Sequence, residues 1–437
     1  MQPGTEPRAW AIVVFEPVPV YVTTSKNFGS GAASVNLGYE PQWLLAKGSS
    51  DVTNWLMADN MRGWSETNIQ RLFADSTNAD SNYTANAGQS PTATGFKFTA
   101  GLLSSSTTYI YIAIRRGPMK VPTDATKVFL PTSTSGTTGT PITTGFPVDW
   151  QLLGINAGNV YNQRSSTRLT GVNTDGTSNS QYLVTSKTIA EGATGSLTLN
   201  WNNTGFQIPS LNSGSPIIAW NFQRAPSFFD EVCYSGTGSI GNIISHNLGA
   251  VPELMIIKGR AGTIGVNDWQ VLGKINAVNY VKLVLNATSA ELGPFTYAVN
   301  AGLAAQPTST NFTVNNTANF NNGSTTYVAY LFATCAGVSK VGSYTGNGTI
   351  QTIDCGFTAG ARFVLIKRTD AAGDWYVYDT ARGMTVLTDP YLLLNSAAAE
   401  VATLGSVTTV STGFALNSTI LADINVNAGT YIFLSVA

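Results

Sequence analysis

Four tryptophans, Trp55, Trp150, Trp269 and Trp375, are the most regularly placed large side chains in this 437-residue sequence. One exposed indole per repeat would make a platform for stacking sugar rings. The apolar alternation around each favours burial instead, where each would contribute on the order of 2–3 kcal/mol. Asp149, Asp268 and Asp374 each precede one of them, a placement that suits a tight turn or a strand entry. Asp59 with Arg62-Gly63 and Asp379 with Arg382-Gly383 form a D-x-x-R-G signature in the outer parts of the chain. It reads as an exposed local ion pair holding a turn, with glycine at positive φ, worth roughly 0.2–1 kcal/mol.

Other chemistry is hard to place. The one histidine, His246, has no counterpart histidine at related positions, so it reads as a solvated or turn-bonded side chain, not a general base. Gly236-Thr237-Gly238 and Gly346-Asn347-Gly348 look like phosphate loops, but a phosphate loop needs a helix immediately after it, and strand sequence follows here. Hairpin turns explain those glycines. Glutamate is too scarce to suggest a pair of hydrolytic carboxylates. No catalytic, cofactor or metal residue is therefore assigned. Cys233, Cys335 and Cys355 lack metal-ligand spacing and read as small buried hydrophobes, a Cys335–Cys355 bridge being the lesser alternative.

These marks recur in a fixed order. Gly95-Phe96, Gly205-Phe206, Asn311-Phe312 and Gly413-Phe414 repeat with a period of about 100 residues, enough for each unit to bury its own core. Runs such as Tyr109–Ile114 and Tyr327–Phe332 are β-branched and aromatic, with loop chemistry between them. The expected fold is all-β: four tandem antiparallel β-sandwich modules, jelly-roll-like, of about 100 residues each. Expected boundaries are an N-terminal strand or anchor segment at 1–26, then modules at 27–118, 119–226, 227–340 and 341–437. The second is the most divergent and could be a different sandwich. Short helices are expected only at Asn395–Val401 and near Met57–Met61. Phe228-Phe229, at the joint after Arg224-Ala225-Pro226, needs burial, so the second and third modules should pack together into a stiff assembly.

Composition bounds the function. Charged residues make up 11% and the net charge is −1, with no basic block, which argues against nucleic-acid binding. No run of about 18 apolar residues suggests a membrane span, and Ala9–Val20 is interrupted by Glu16 and prolines.

Taken together, Tyr-x-Gly-x-Gly, the Pro252–Lys258 strand, the Asp-Trp that follows, D-x-x-R-G and the closing Thr-Tyr-Val/Ile-Ala resemble tandem-module tail-fibre or tail-tip proteins of tailed bacteriophages. Ala113–Pro118 and Phe222–Pro226 resemble that group's module ends, and the resemblance covers nearly all of residues 27–437. It implies a non-enzymatic virion protein, assembled in the host cytoplasm and docked to other tail or baseplate proteins. It also implies a homo-oligomer, a trimer first among them, that contacts a host polysaccharide or protein receptor. Loop tips such as Thr134–Thr140 and Asn173–Asn179 are the expected contact points. A capsid decoration protein, a glycan-cleaving fibre enzyme and a bacterial adhesin are the competing readings.

Overall fold

The computed structural model describes residues 20–437 apart from 28–32, 38, 65–68, 80, 84–88, 93–94, 99–107, 116–119, 135–140, 157–160, 169–180, 193–199, 208–216, 262–267, 276–278, 297–301, 386–387, 403–404 and 418–420. The chain is nearly all β, and every strand pairing is antiparallel. One strand order occurs four times along it. In each large sheet an opening strand lies beside the closing strand, which lies beside an inner strand and then the fourth and fifth. The opening strands are Val20–Asn27, Phe129–Thr134, Phe229–Ser235 and Ser339–Thr345. The closing strands are Thr108–Arg115, Ile217–Phe222, Thr326–Phe332 and Thr430–Val436. Between them run the inner strands Pro41–Gly48, Trp150–Asn156, Leu254–Ala261 and Phe363–Arg368. A smaller sheet faces each large one, for example Ile350–Asp354 with Gly413–Asn417 and Val407–Val410.

The strand period explains the layering. Along the inner strand of unit 4, Val364 and Ile366 point to the small sheet and its Phe414 and Leu416, while Phe363 and Leu365 point the other way. Both faces are buried. The outward faces of units 2, 3 and 4 meet in one continuous core that includes Trp220, Phe332 and Val377, whereas unit 1 keeps a separate core around Leu44, Phe96 and Tyr111. Phe228 and Phe229 are fully buried in the shared core, and the Phe229 ring lies 5.0 Å from that of Phe332. The joint is packed, as that aromatic pair requires.

Several expectations change. Unit 2 keeps the common strand order, so its divergence is one of sequence and not of fold. Val20–Asn27 pairs with Thr108–Arg115, so the end of the 1–26 segment is the edge strand of unit 1; residues 1–19 lie outside the described residues. Asn395–Val401 is a turn followed by irregular chain, because Asn395 is committed to the Asp374-Trp375 strand entry. Leu56–Asp59 is a strand, and Asn60–Gly63 is a turn closed by Asp59. The tips 135–140 and 173–179 lie outside the described residues.

The Gly-Phe marks have a steric cause. A Cβ on Gly95, Gly205 or Gly413 would stand 1.8, 2.0 or 2.2 Å from the carbonyl oxygen of Val35, Ile142 or Ile353 on the paired strand. Gly413→Ala should therefore cost about 1–3 kcal/mol through strand displacement. A lower denaturant midpoint with unchanged slope would report it.

Candidate functional site

Five of the predicted marker residues, Trp150, Trp269, Trp375, Asp379 and Arg382, meet a neighbouring unit, while Trp55, Asp59 and Arg62 make contacts within unit 1. Trp55, Trp269 and Trp375 stand at the entry of the fourth strands Leu56–Asp59, Gln270–Lys274 and Trp375–Asp379. Their backbone N–H groups donate to Asp75, Asn286 and Asn395 at 3.0, 2.8 and 2.9 Å. Asp268 and Asp374 accept from the last two amides, which confirms a strand-entry role for them. Two of the indoles then reach out of their units. Trp269 Nε1 donates to the Val184 carbonyl of unit 2 at 3.0 Å, and Trp375 Nε1 to the Val284 carbonyl of unit 3 at 2.9 Å. Two inner-strand lysines repeat the step, Lys258 donating to the Thr188 carbonyl and Lys367 to that of Thr288, both at 3.0 Å. Burial pulls each ammonium down to about 8. Val184 and Val284 hold one register position on the fifth strand, so the seams 2–3 and 3–4 are copies of each other.

Trp150 does not belong to this set. It lies on the inner strand opposite Phe222, where unit 3 has Leu254 opposite Phe332 and unit 4 has Phe363 opposite Val436. Asp149-Trp150-Gln151 imitates Asp268-Trp269-Gln270 locally, but strand register places it one strand earlier. Trp150 is still buried, and its indole donates to Ser165 Oγ, which meets the Tyr330 hydroxyl of unit 3 at 2.9 Å. Trp55 is only half-buried.

The D-x-x-R-G turns are real. Arg62 Nε lies 2.6 Å from Asp59 and Arg382 Nε 2.7 Å from Asp379, with Gly63 and Gly383 at φ 111° and 110°. Neither pair is exposed, however: the first is half-buried and the second buried. Asp379 is fully buried because it also accepts the indole N–H of Trp220, from unit 2, at 2.8 Å, and the Arg382 guanidinium sits over that ring. That contact closes units 2, 3 and 4 into a three-membered ring.

A buried charge cluster ties unit 1 to this ring. Arg224, at the end of unit 2, grips Glu40 of unit 1 through two contacts of 2.7 and 3.3 Å. Its backbone N–H donates to Asp149 at 2.8 Å, and its Nε lies 3.6 Å from the same carboxylate. Fully buried Glu231 is pushed well above the usual carboxyl range by burial, against the pull of Arg224, and Asp230 rises to about 6 for the same reason. Sequence reasoning saw Arg224 only as the end of a strand, since its partners lie 75 and 184 residues away.

Residues 19–118 and 149–437 match the family model described as a domain of unknown function, DUF7483. The chain belongs to the DUF7483 family. No curated protein matches it.

Within this DUF7483 chain the remaining polar candidates are held by local contacts. The glycine loops are clasped by two buried asparagines that sequence reasoning missed. Asn321 accepts from the Thr237 amide at 2.7 Å, and Asn425 accepts from the Asn347 amide at 2.9 Å. Their side-chain amides donate to Ser239 and Thr349 carbonyls. All three cysteines are free thiols. Among the described residues no group of three or more His, Cys, Asp or Glu could hold a metal ion.

His246 is buried, not solvated, and its Nδ1 accepts the Leu248 N–H at 3.3 Å. Burial lowers its pKa from 6.5 to about 4. Because the folded value is depressed, the neutral ring's contribution is complete above pH 6.5 and is lost as pH falls through about 4. The stability difference between wild type and His246→Gln should shrink over that window. A difference that stays constant with pH in denaturant titrations would contradict this.

Proposed function

We propose that the protein is a structural component of a tailed-bacteriophage virion, a tail-fibre or tail-tip protein contributing to attachment at the host surface. Its partners would be other tail or baseplate proteins, further copies of itself, and a host polysaccharide or protein receptor. The observation that carries this reading is the continuous core shared by units 2, 3 and 4. It fuses three sandwiches into one stiff block, which suits a part that must transmit contact from a receptor to a tail. The side chains with regular sequence placement are spent on seams and turns, which favours a binding and structural role over catalysis. Antibody labelling of purified particles tests it. Label confined to the tail supports the proposal, label over the capsid supports a decoration protein, and absence from particles refutes both. Shortening of host polysaccharide by the purified protein would establish the enzyme reading instead.

A further inference from the structure

Unit 1 carries the ring-forming face without a ring. Register places Trp43, Leu45, Met57, Leu72, Ile112 and Ile114 where unit 4 has Phe363, Leu365, Val377, Leu392, Leu434 and Val436. The six of unit 4 lie in the shared core, none more than 4% exposed. All six of unit 1 are apolar yet only half-buried. The polar edges of the seam are repeated too. Trp55 and Lys47 hold the places of Trp375 and Lys367, while Phe73 and Thr77 hold those of Val284 and Thr288. Lys367 bonds the Gly373 carbonyl of its own unit and the Thr288 carbonyl of the preceding one. Lys47 makes the first of these bonds, to the Thr53 carbonyl of its own unit.

We infer that unit 1 completes the same three-membered ring with unit 1 of two further copies of this chain, making the protein a homotrimer. The face bears both halves of the seam, a donor edge at Trp55 and Lys47 and an acceptor edge at Phe73 and Thr77. Such a head-to-tail contact repeats from copy to copy, and it forms a ring when its rotation closes. Units 2, 3 and 4 show that this backbone closes it at three. In the trimer the Trp55 indole donates to the Phe73 carbonyl of the next copy, and Lys47 to the Thr77 carbonyl. The six apolar side chains meet their counterparts around the axis. This gives a surface to the homo-oligomer of the proposed function but rests on register and burial alone. A chain that trimerises yet is absent from particles would sink the virion reading and leave this one standing.

Light scattering on the eluting full-length protein at micromolar concentration provides the test. The expected mass is three times the 46.1 kDa chain. Leu45→Glu and Ile112→Glu should each return it to the single-chain mass with an unchanged circular dichroism spectrum. Glutaraldehyde treatment of the wild type should give a ladder ending at three chains, which both glutamate variants lose. A monomeric wild type would overturn the proposal and leave the face to another segment of the chain. So would a trimer indifferent to both glutamates, or a three-chain ladder that both variants keep.

Discussion

Replacing Arg224 with methionine should destabilise the protein by about 3–5 kcal/mol near neutral pH. The guanidinium is the cation that faces Glu40 and Asp149 at this joint, and all three side chains are buried. Methionine fills much of the volume but removes the cation that grips Glu40 and lies beside Asp149 in a low-dielectric site. The sign of the pH dependence follows from that. Burial raises the Glu231 and Asp230 carboxyls and Arg224 pulls them back, so without it both rise further, and the variant's deficit should grow as pH rises and shrink toward about pH 4. Guanidinium chloride titrations at acidic and neutral pH would measure both. A deficit below about 1 kcal/mol at neutral pH would mean that the pair is solvent-screened and not the clamp described here.

Trp375→Ala should cost a similar amount, about 3–5 kcal/mol. It removes an indole that is 1% exposed and takes from the Val284 carbonyl of unit 3 the shorter of its two hydrogen bonds, leaving that from the Ala287 N–H. The consequence reaches beyond unit 4, because the residues facing that indole belong to a core common to three units. Urea melts should therefore shift to a lower midpoint as one transition for units 2 to 4. Separate loss of unit 4, seen as a distinct early step, would show that the seams are weaker than their burial implies. Trp55→Ala, at a half-buried position, should cost clearly less in the single chain.

Much of this arrangement was legible in the residues. The Gly-Phe marks, the β-branched closing runs and the Trp strand entries announced four rounds of antiparallel strands, because strand propensity and turn chemistry are local. The D-x-x-R-G turns were equally readable, since both partners lie within four residues. Trp150 looks equivalent to Trp269 in sequence because the local pattern matches, and only its pairing with Phe222 fixes the register. Arg224 and the two clasping asparagines were missed for a related reason: their partners are remote in sequence.

By itself, then, the sequence determined the strands, their period and the fact that runs such as Leu254–Ile257 and Phe363–Ile366 are apolar on both faces. Apolarity on both faces demands cover on both sides. It does not name the cover. Tertiary structure supplied it for units 2, 3 and 4, which cover one another, and left the equivalent face of Trp43, Leu45 and Ile112 half-open. The reason is physical: alternation along a strand is set by the backbone, but what lies beyond the outer face is set by residues about a hundred positions away, or by those of another chain.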